Sequence, residues 1–179
     1  MSPSHQRTFI VHVEDRPGVL NRVISLFRRR AYNIDSLTVA RTERPAISRI
    51  TLVVVVDERE ARLLEANLYK LINVLYVEDV THQGPLVREL ALIKVKATEE
   101  TRAQLLRVCD MFRARAIDVT PSALVVELTG TPDELDGLIE VLRPSGIIEL
   151  VRTGAVAMAR GARSPLAGVL DTALPEQAA

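Results

Sequence analysis

The chain has 179 residues, 23 of them basic and 23 acidic, so its formal net charge is zero. That balance argues against a nucleic-acid binder, whose footprint is a basic patch or stripe, and three Phe, three Tyr and no Trp supply little for base stacking. A single cysteine excludes an internal disulfide and fits a reducing compartment. Apolar runs such as Leu52 to Val56 are far too short to span a membrane, and Met1-Ser2-Pro3-Ser4-His5 lacks the basic and apolar regions of a signal peptide. The expectation is a soluble cytoplasmic protein. At this length folding removes roughly 70% of the unfolded chain's surface from water, enough for one large core or two small ones.

Residues 8–14 alternate, with Phe9, Val11 and Val13 on one face and His12 and Glu14 on the other, which predicts a strand. Asp15-Arg16-Pro17-Gly18 breaks it. A helix follows with Leu20, Ile24, Phe27 and Ala31 on one stripe and Val19 and Val23 beside it. Asp15 suits its N-terminal cap and Pro17 its first turn. Asn33 to Arg44 and Ile47 to Val56 read as strands around Pro45-Ala46. Asp57 with Glu60 three residues on has the form of a capping box. The helix after it carries Ala61, Leu64, Leu68 and Leu71, and Leu75 to Thr81 returns as a strand.

Gln83-Gly84-Pro85 punctuates the chain and the order recurs. Arg88 to Ala97 is a strand, and the helix after Thr98 presents Leu105, Cys109, Phe112 and Ala116. Ile117 to Thr120 and Leu124 to Thr129 are strands around Pro121-Ser122. Thr131-Pro132-Asp133-Glu134 starts a helix with a capping box and Pro at its first position; Leu135, Leu138, Ile139 and Leu142 follow. Gly146 to Met158 closes as a strand. β-α-β-β-α-β occurring twice predicts an α+β protein of two tandem ferredoxin-like sandwiches, residues 1–82 and 83–161, with a disordered tail at 162–179. Ile50 to Val56 is apolar at nearly every position, so both faces of that strand are expected to be buried, one of them against a second domain or a second chain.

The sequence offers no catalytic constellation. Phosphate-loop, dinucleotide, zinc-protease and nucleophile-elbow motifs are missing. His5, His12 and His82 have no second ligand at helical spacing, so no metal site is expected, and His12 reads as a polar residue on a strand's outer face. Cys109 reads as a core residue. Arg28-Arg29-Arg30 could meet an acidic partner or simply favour the negative end of their helix.

The first strand-to-helix junction is more informative. The N–H groups of Gly18, Val19 and Leu20 open a helix, where donors converge at the positive end of the dipole. Gly18 lets a ligand approach the backbone closely, and Asp15 supplies an acceptor for a cationic group. A carboxylate at the helix end and an ammonium near Asp15 together describe an α-amino acid; an ordinary capped helix with a turn glycine is the simpler alternative.

The run Asp15-Arg16-Pro17-Gly18-Val19-Leu20, with Arg22, Val23, Leu26 and Phe27 following, resembles the signature of ACT domains, small ferredoxin-like modules that bind amino acids. Residues 16–39, with Arg30-Ala31-Tyr32-Asn33-Ile34-Asp35-Ser36-Leu37 at the helix end, are similar to the small regulatory subunit of acetolactate (acetohydroxyacid) synthase. Ser48-Arg49-Ile50-Thr51, Arg88-Glu89-Leu90, Glu127-Leu128-Thr129-Gly130 and Arg152-Thr153-Gly154 extend the resemblance over roughly residues 7–161. It implies a regulator that forms a homodimer through its ACT domains and has no catalytic site or cofactor of its own. Its partner is a large catalytic subunit carrying thiamine diphosphate, magnesium and FAD. The implied effector is valine, or leucine or isoleucine, giving allosteric feedback inhibition of branched-chain amino acid biosynthesis. By position, Gly18, Val19 and Leu20 would hold the effector's carboxylate and Asp15 would stand near its amino group. Asn33 and Ile34 of the facing chain would complete the pocket. The family often has Asn at Asp15 and Gly at Ala31. A stand-alone ACT amino-acid sensor acting on another partner is the alternative, and a subunit that has lost effector binding is a further one.

Overall fold

Residues 4–162 are described by the structure, a computed structural model. Two compact units divide the chain: one runs to Leu86 and resumes at Ala157, the other covers Val87–Val156. The expected tail, from residue 163 on, lies outside the described residues.

The first unit runs β1 (His5–Glu14), α1 (Val19–Arg30), β2 (Ile34–Arg41), β3 (Ile47–Val56), α2 (Glu58–Leu68) and β4 (Val74–Asp79). Its antiparallel sheet has the order β2-β3-β1-β4, with Phe9 opposite Leu52 and His12 opposite both Arg49 and Tyr76. The second unit repeats this with β5 (Leu86–Lys96), α3 (Glu99–Phe112), β6 (Arg115–Val119), β7 (Ala123–Gly130), α4 (Pro132–Leu142) and β8 (Ile147–Arg152), in the order β6-β7-β5-β8. A short β9 (Val156–Met158) follows. The two ferredoxin-like sandwiches read from the sequence are present.

Each unit has its own core. Phe9, Val11 and Val13 pack with Val23 and Phe27 of α1 and Leu64 and Leu68 of α2; Ile93, Val95 and Val126 pack with Leu105 and Cys109 of α3 and Leu135 and Leu138 of α4. Burying each Phe, Leu or Ile contributes about 1.5–3 kcal/mol, which makes these faces the main source of stability. The capping boxes at Asp57/Glu60 and Thr131/Glu134 form as the sequence predicts, and Thr98/Thr101 adds a third.

Several elements depart from the sequence reading. The buried stripe of α1 is Val19, Val23, Leu26 and Phe27, while Leu20 and Ile24 are more than a third exposed. Apolar residues sit side by side at 19–20 and 23–24, so periodicity leaves a rotation of about 100° undecided, and packing selects the valines. Ala31 is the left-handed C-cap of α1 at φ 56°, not part of its stripe. Likewise Arg113 ends α3 at φ 56°, which places Ala116 in β6. The final strand is broken at Gly154, φ 80°. β3 is buried on both faces as expected, except at Val55, which is 48% exposed.

His12 is the clearest correction. It points away from the helices, yet it is 3% exposed, and its Nδ1 has no hydrogen-bond partner among the described residues. Burial first, and then the nearby Arg49 guanidinium, push its pKa down to about 4, against a smaller opposing pull from Glu43. The imidazole is therefore neutral in the fold, while the unfolded chain takes up a proton near pH 6.5. Stability from this group is complete above pH 6.5 and is lost as pH falls from there toward 4, by about 3 kcal/mol in total. Urea unfolding of wild type and His12→Gln across pH 7 to 4.5 should show the variant losing distinctly less stability over this window. Parallel losses would remove His12 as the cause.

Candidate functional site

The junction between β1 and α1 is built by the ends of four elements. The Asp15 N–H donates to the Ala46 carbonyl at 2.7 Å, tying the turn to the β2–β3 connection. The Arg16 N–H donates to Glu14 O at 2.9 Å and the Val19 N–H to Arg16 O at 3.3 Å. Gly18 is the N-cap, held at φ +84°, a left-handed conformation that glycine adopts without cost. A Cβ placed on Gly18 would meet nothing within 4 Å, so the space before the helix is open.

This start differs from those of the other three helices among the described residues. α2, α3 and α4 each have a side-chain cap and acids in the first turn, whereas α1 has neither. Asp15 therefore does not cap α1, contrary to the sequence reading, because the extra turn through Pro17 and Gly18 carries it out of reach. With the Val19 N–H already engaged, Gly18 and Leu20 become the principal backbone donors. An uncapped, acid-free helix start favours an anion.

The Asp15 carboxylate accepts from Arg41 Nε at 3.1 Å. The sequence reading missed Arg41, and strand register supplied the missing signal: a β2 reaching back to residue 41 lies beside the β1–α1 turn. Behind it, Glu14 accepts from Arg16 Nε at 2.7 Å and from Asn73 Nδ2 at 2.8 Å, and Arg22 of α1 donates to Asn73 Oδ1.

Asn33 and Ile34 lie at the opposite end of α1. The helix has 12 residues, which at 1.5 Å per residue spans about 18 Å. Asn33 Nδ2 donates to Asp35 Oδ1 at 3.1 Å, and Ile34 is half-buried against the first core. One chain thus brings Asp15, Gly18, Val19 and Leu20 together and leaves Asn33 and Ile34 apart from them.

In the second unit the equivalent helix start is closed. The Thr98 side chain accepts from the Thr101 N–H at 3.3 Å, and Thr101 Oγ1 accepts from the Thr98 N–H at 2.9 Å. The two units share a fold and differ at this junction.

Residues 9–76 match the model of the AHAS small subunit-like ACT domain, and residues 88–161 match the model of the small subunit of acetolactate synthase. The chain is 45% identical over 162 residues to the acetolactate synthase small subunit of Mycolicibacterium smegmatis, covering 90% of this chain and 94% of that one. It is also 45% identical over 157 residues to the acetolactate synthase small subunit of Bacillus subtilis, covering 87% and 91%. The chain belongs to the acetolactate synthase small-subunit family. A crystal structure of the small subunit from Thermotoga maritima superimposes with a TM-score of 0.81 at 32% identity, over 89% of this chain and 99% of that one. Family membership makes the first unit an ACT domain and implies a large catalytic subunit as partner.

The Gly18 backbone gives a stability prediction separate from any ligand. Gly18→Ala meets no clash but forces an alanine to φ +84°, which costs about 1–2 kcal/mol. Asn, which tolerates the left-handed region, should cost visibly less. Thermal unfolding of the two variants checks this ordering, and equal losses would contradict it.

Proposed function

We propose that this chain is the regulatory subunit that activates the thiamine-diphosphate-dependent catalytic subunit of acetolactate synthase and confers feedback inhibition by valine, in the cytoplasm. The catalytic subunit supplies the thiamine diphosphate, magnesium and FAD; this chain supplies the effector site. The observation that carries the reading is the open start of α1: donors at Gly18 and Leu20, no side-chain cap, and no acid in the first turn.

The effector's carboxylate takes the helix start, and its ammonium lies near Asp15. Arg41 pairs with that acid at the surface, so the ammonium shares Asp15 with it. The remaining side of the site comes from Asn33 and Ile34 of a second copy, because α1 holds these residues about 18 Å from Gly18 within one chain. The exposed Leu20 and Ile24 on α1 and the exposed Val39 on the edge strand β2 give the second copy an apolar surface to pack on. An effector whose contacts are complete only across two copies favours the arrangement that provides them. A coupling of about 1–3 kcal/mol then changes the catalytic subunit's behaviour about 5- to 150-fold.

Calorimetry with valine tests the site on wild type, Gly18→Asn and Gly18→Asp. Gly18→Asn keeps the backbone conformation accessible and should retain most of the affinity, whereas the carboxylate of Gly18→Asp should weaken valine at least tenfold. Equal binding by wild type and Gly18→Asp refutes the helix-start site. Reconstitution with the catalytic subunit should then show activation that valine reverses, and that Gly18→Asp leaves insensitive to valine.

A further inference from the structure

The last turn of α1 carries Arg28, Arg29 and Arg30, all exposed, on a helix that contains four arginines and no acid. Favouring the helix's negative end is one use for such residues. Here the backbone already satisfies two of the last four carbonyls: the Ala31 N–H donates to Arg28 O at 3.3 Å and the Tyr32 N–H to Phe27 O at 3.1 Å. Successive helical residues are also about 100° apart, so three in a row fan over about 200° and cannot all lie along the axis. Asp57 and Glu60 act on Tyr32 together with Arg30. Both are committed to the start of α2, where Glu60 N–H donates to Asp57 Oδ1 at 2.8 Å and Asp57 N–H to Glu60 Oε2 at 2.9 Å. Among the described residues none of the three guanidiniums enters an ion pair, whereas Arg7, Arg16, Arg41 and Arg152 each do.

We infer that Arg28, Arg29 and Arg30 form a docking point for an acidic surface of the large catalytic subunit. Three consecutive exposed guanidiniums make this helix end locally positive, and a carboxylate-bearing face offers the planar acceptors that Arg pairs with best. Nucleic acid is a poorer fit, because the chain as a whole is neutral and lacks Trp. Exposed charges of this kind act mainly by steering the encounter, so their effect falls on the association rate and its salt dependence. The inference uses only the partner that family membership implies and does not depend on the effector reading.

The test measures association of the full-length chain with the purified catalytic subunit at low and at physiological ionic strength. An Arg28→Gln/Arg29→Gln/Arg30→Gln variant should associate about tenfold or more slowly at low salt, with a flattened salt dependence and a nearly unchanged dissociation rate. The corresponding triple Lys variant keeps the charge and should stay within a few fold of wild type, which separates charge from helix stability. Sedimentation and thermal melting of both variants report on assembly and folding. A triple Gln variant that associates at the wild-type rate with the wild-type salt dependence overturns the inference. So does a triple Lys variant as slow as the Gln one, or loss of duplex DNA binding with catalytic-subunit association intact.

Discussion

β1 is hydrogen-bonded to β3 along one edge and to β4 along the other, and its residues from Phe9 to Val13 are buried on both faces. A strand so enclosed cannot shift by one residue without turning Phe9, Val11 and Val13 out of the core. The position at which it ends is therefore fixed. Asp15 leaves the sheet at one place, held there by the Ala46 carbonyl, and α1 must begin where Gly18 turns left-handed. The open helix start is a consequence of that register, and the placement of Asp15 beside Arg41 is another.

Much of this was legible in the sequence, for identifiable reasons. Strand alternation at Phe9, Val11 and Val13, the three-residue spacing of Asp57 with Glu60, and the Thr131-Pro132 helix start are local signals, and the fold honours each of them. The elements that escaped depended on tertiary context. Residues 19–20 and 23–24 offer two adjacent apolar stripes, and only packing against β1 and β3 chooses between them. Ala31 and Arg113 end their helices in the left-handed region although neither is Gly or Asn, the residues that usually announce such an ending. His12 has the polarity of an outer-face residue; the apolar run of β3 announced that this face is covered, but not that the cover reaches His12.

The candidate site was legible in part. Asp15, Gly18, Val19 and Leu20 are consecutive or nearly so, and a turn followed by a helix brings them together whatever the rest of the chain does. Arg41 is a contact 26 residues away, set by the length of β2 and the β2–β3 turn, so no local pattern could supply it. The comparison between units is also instructive. One βαββαβ unit closes its first helix with the Thr98 and Thr101 side chains, and the other leaves the same position to a glycine. The same fold thus carries a closed helix start in one unit and an open one in the other.

Arg49 of β3 donates to the carbonyl of Ala157, 108 residues further along the chain, and Ala157 is grouped with the first unit. The acceptor is made late. At about 5–20 residues per second, the ribosome takes roughly 5–20 s to supply it after Arg49 has been made. Until then water must satisfy the Arg49 guanidinium in its place, so a nascent chain that already has β3 still lacks this bond.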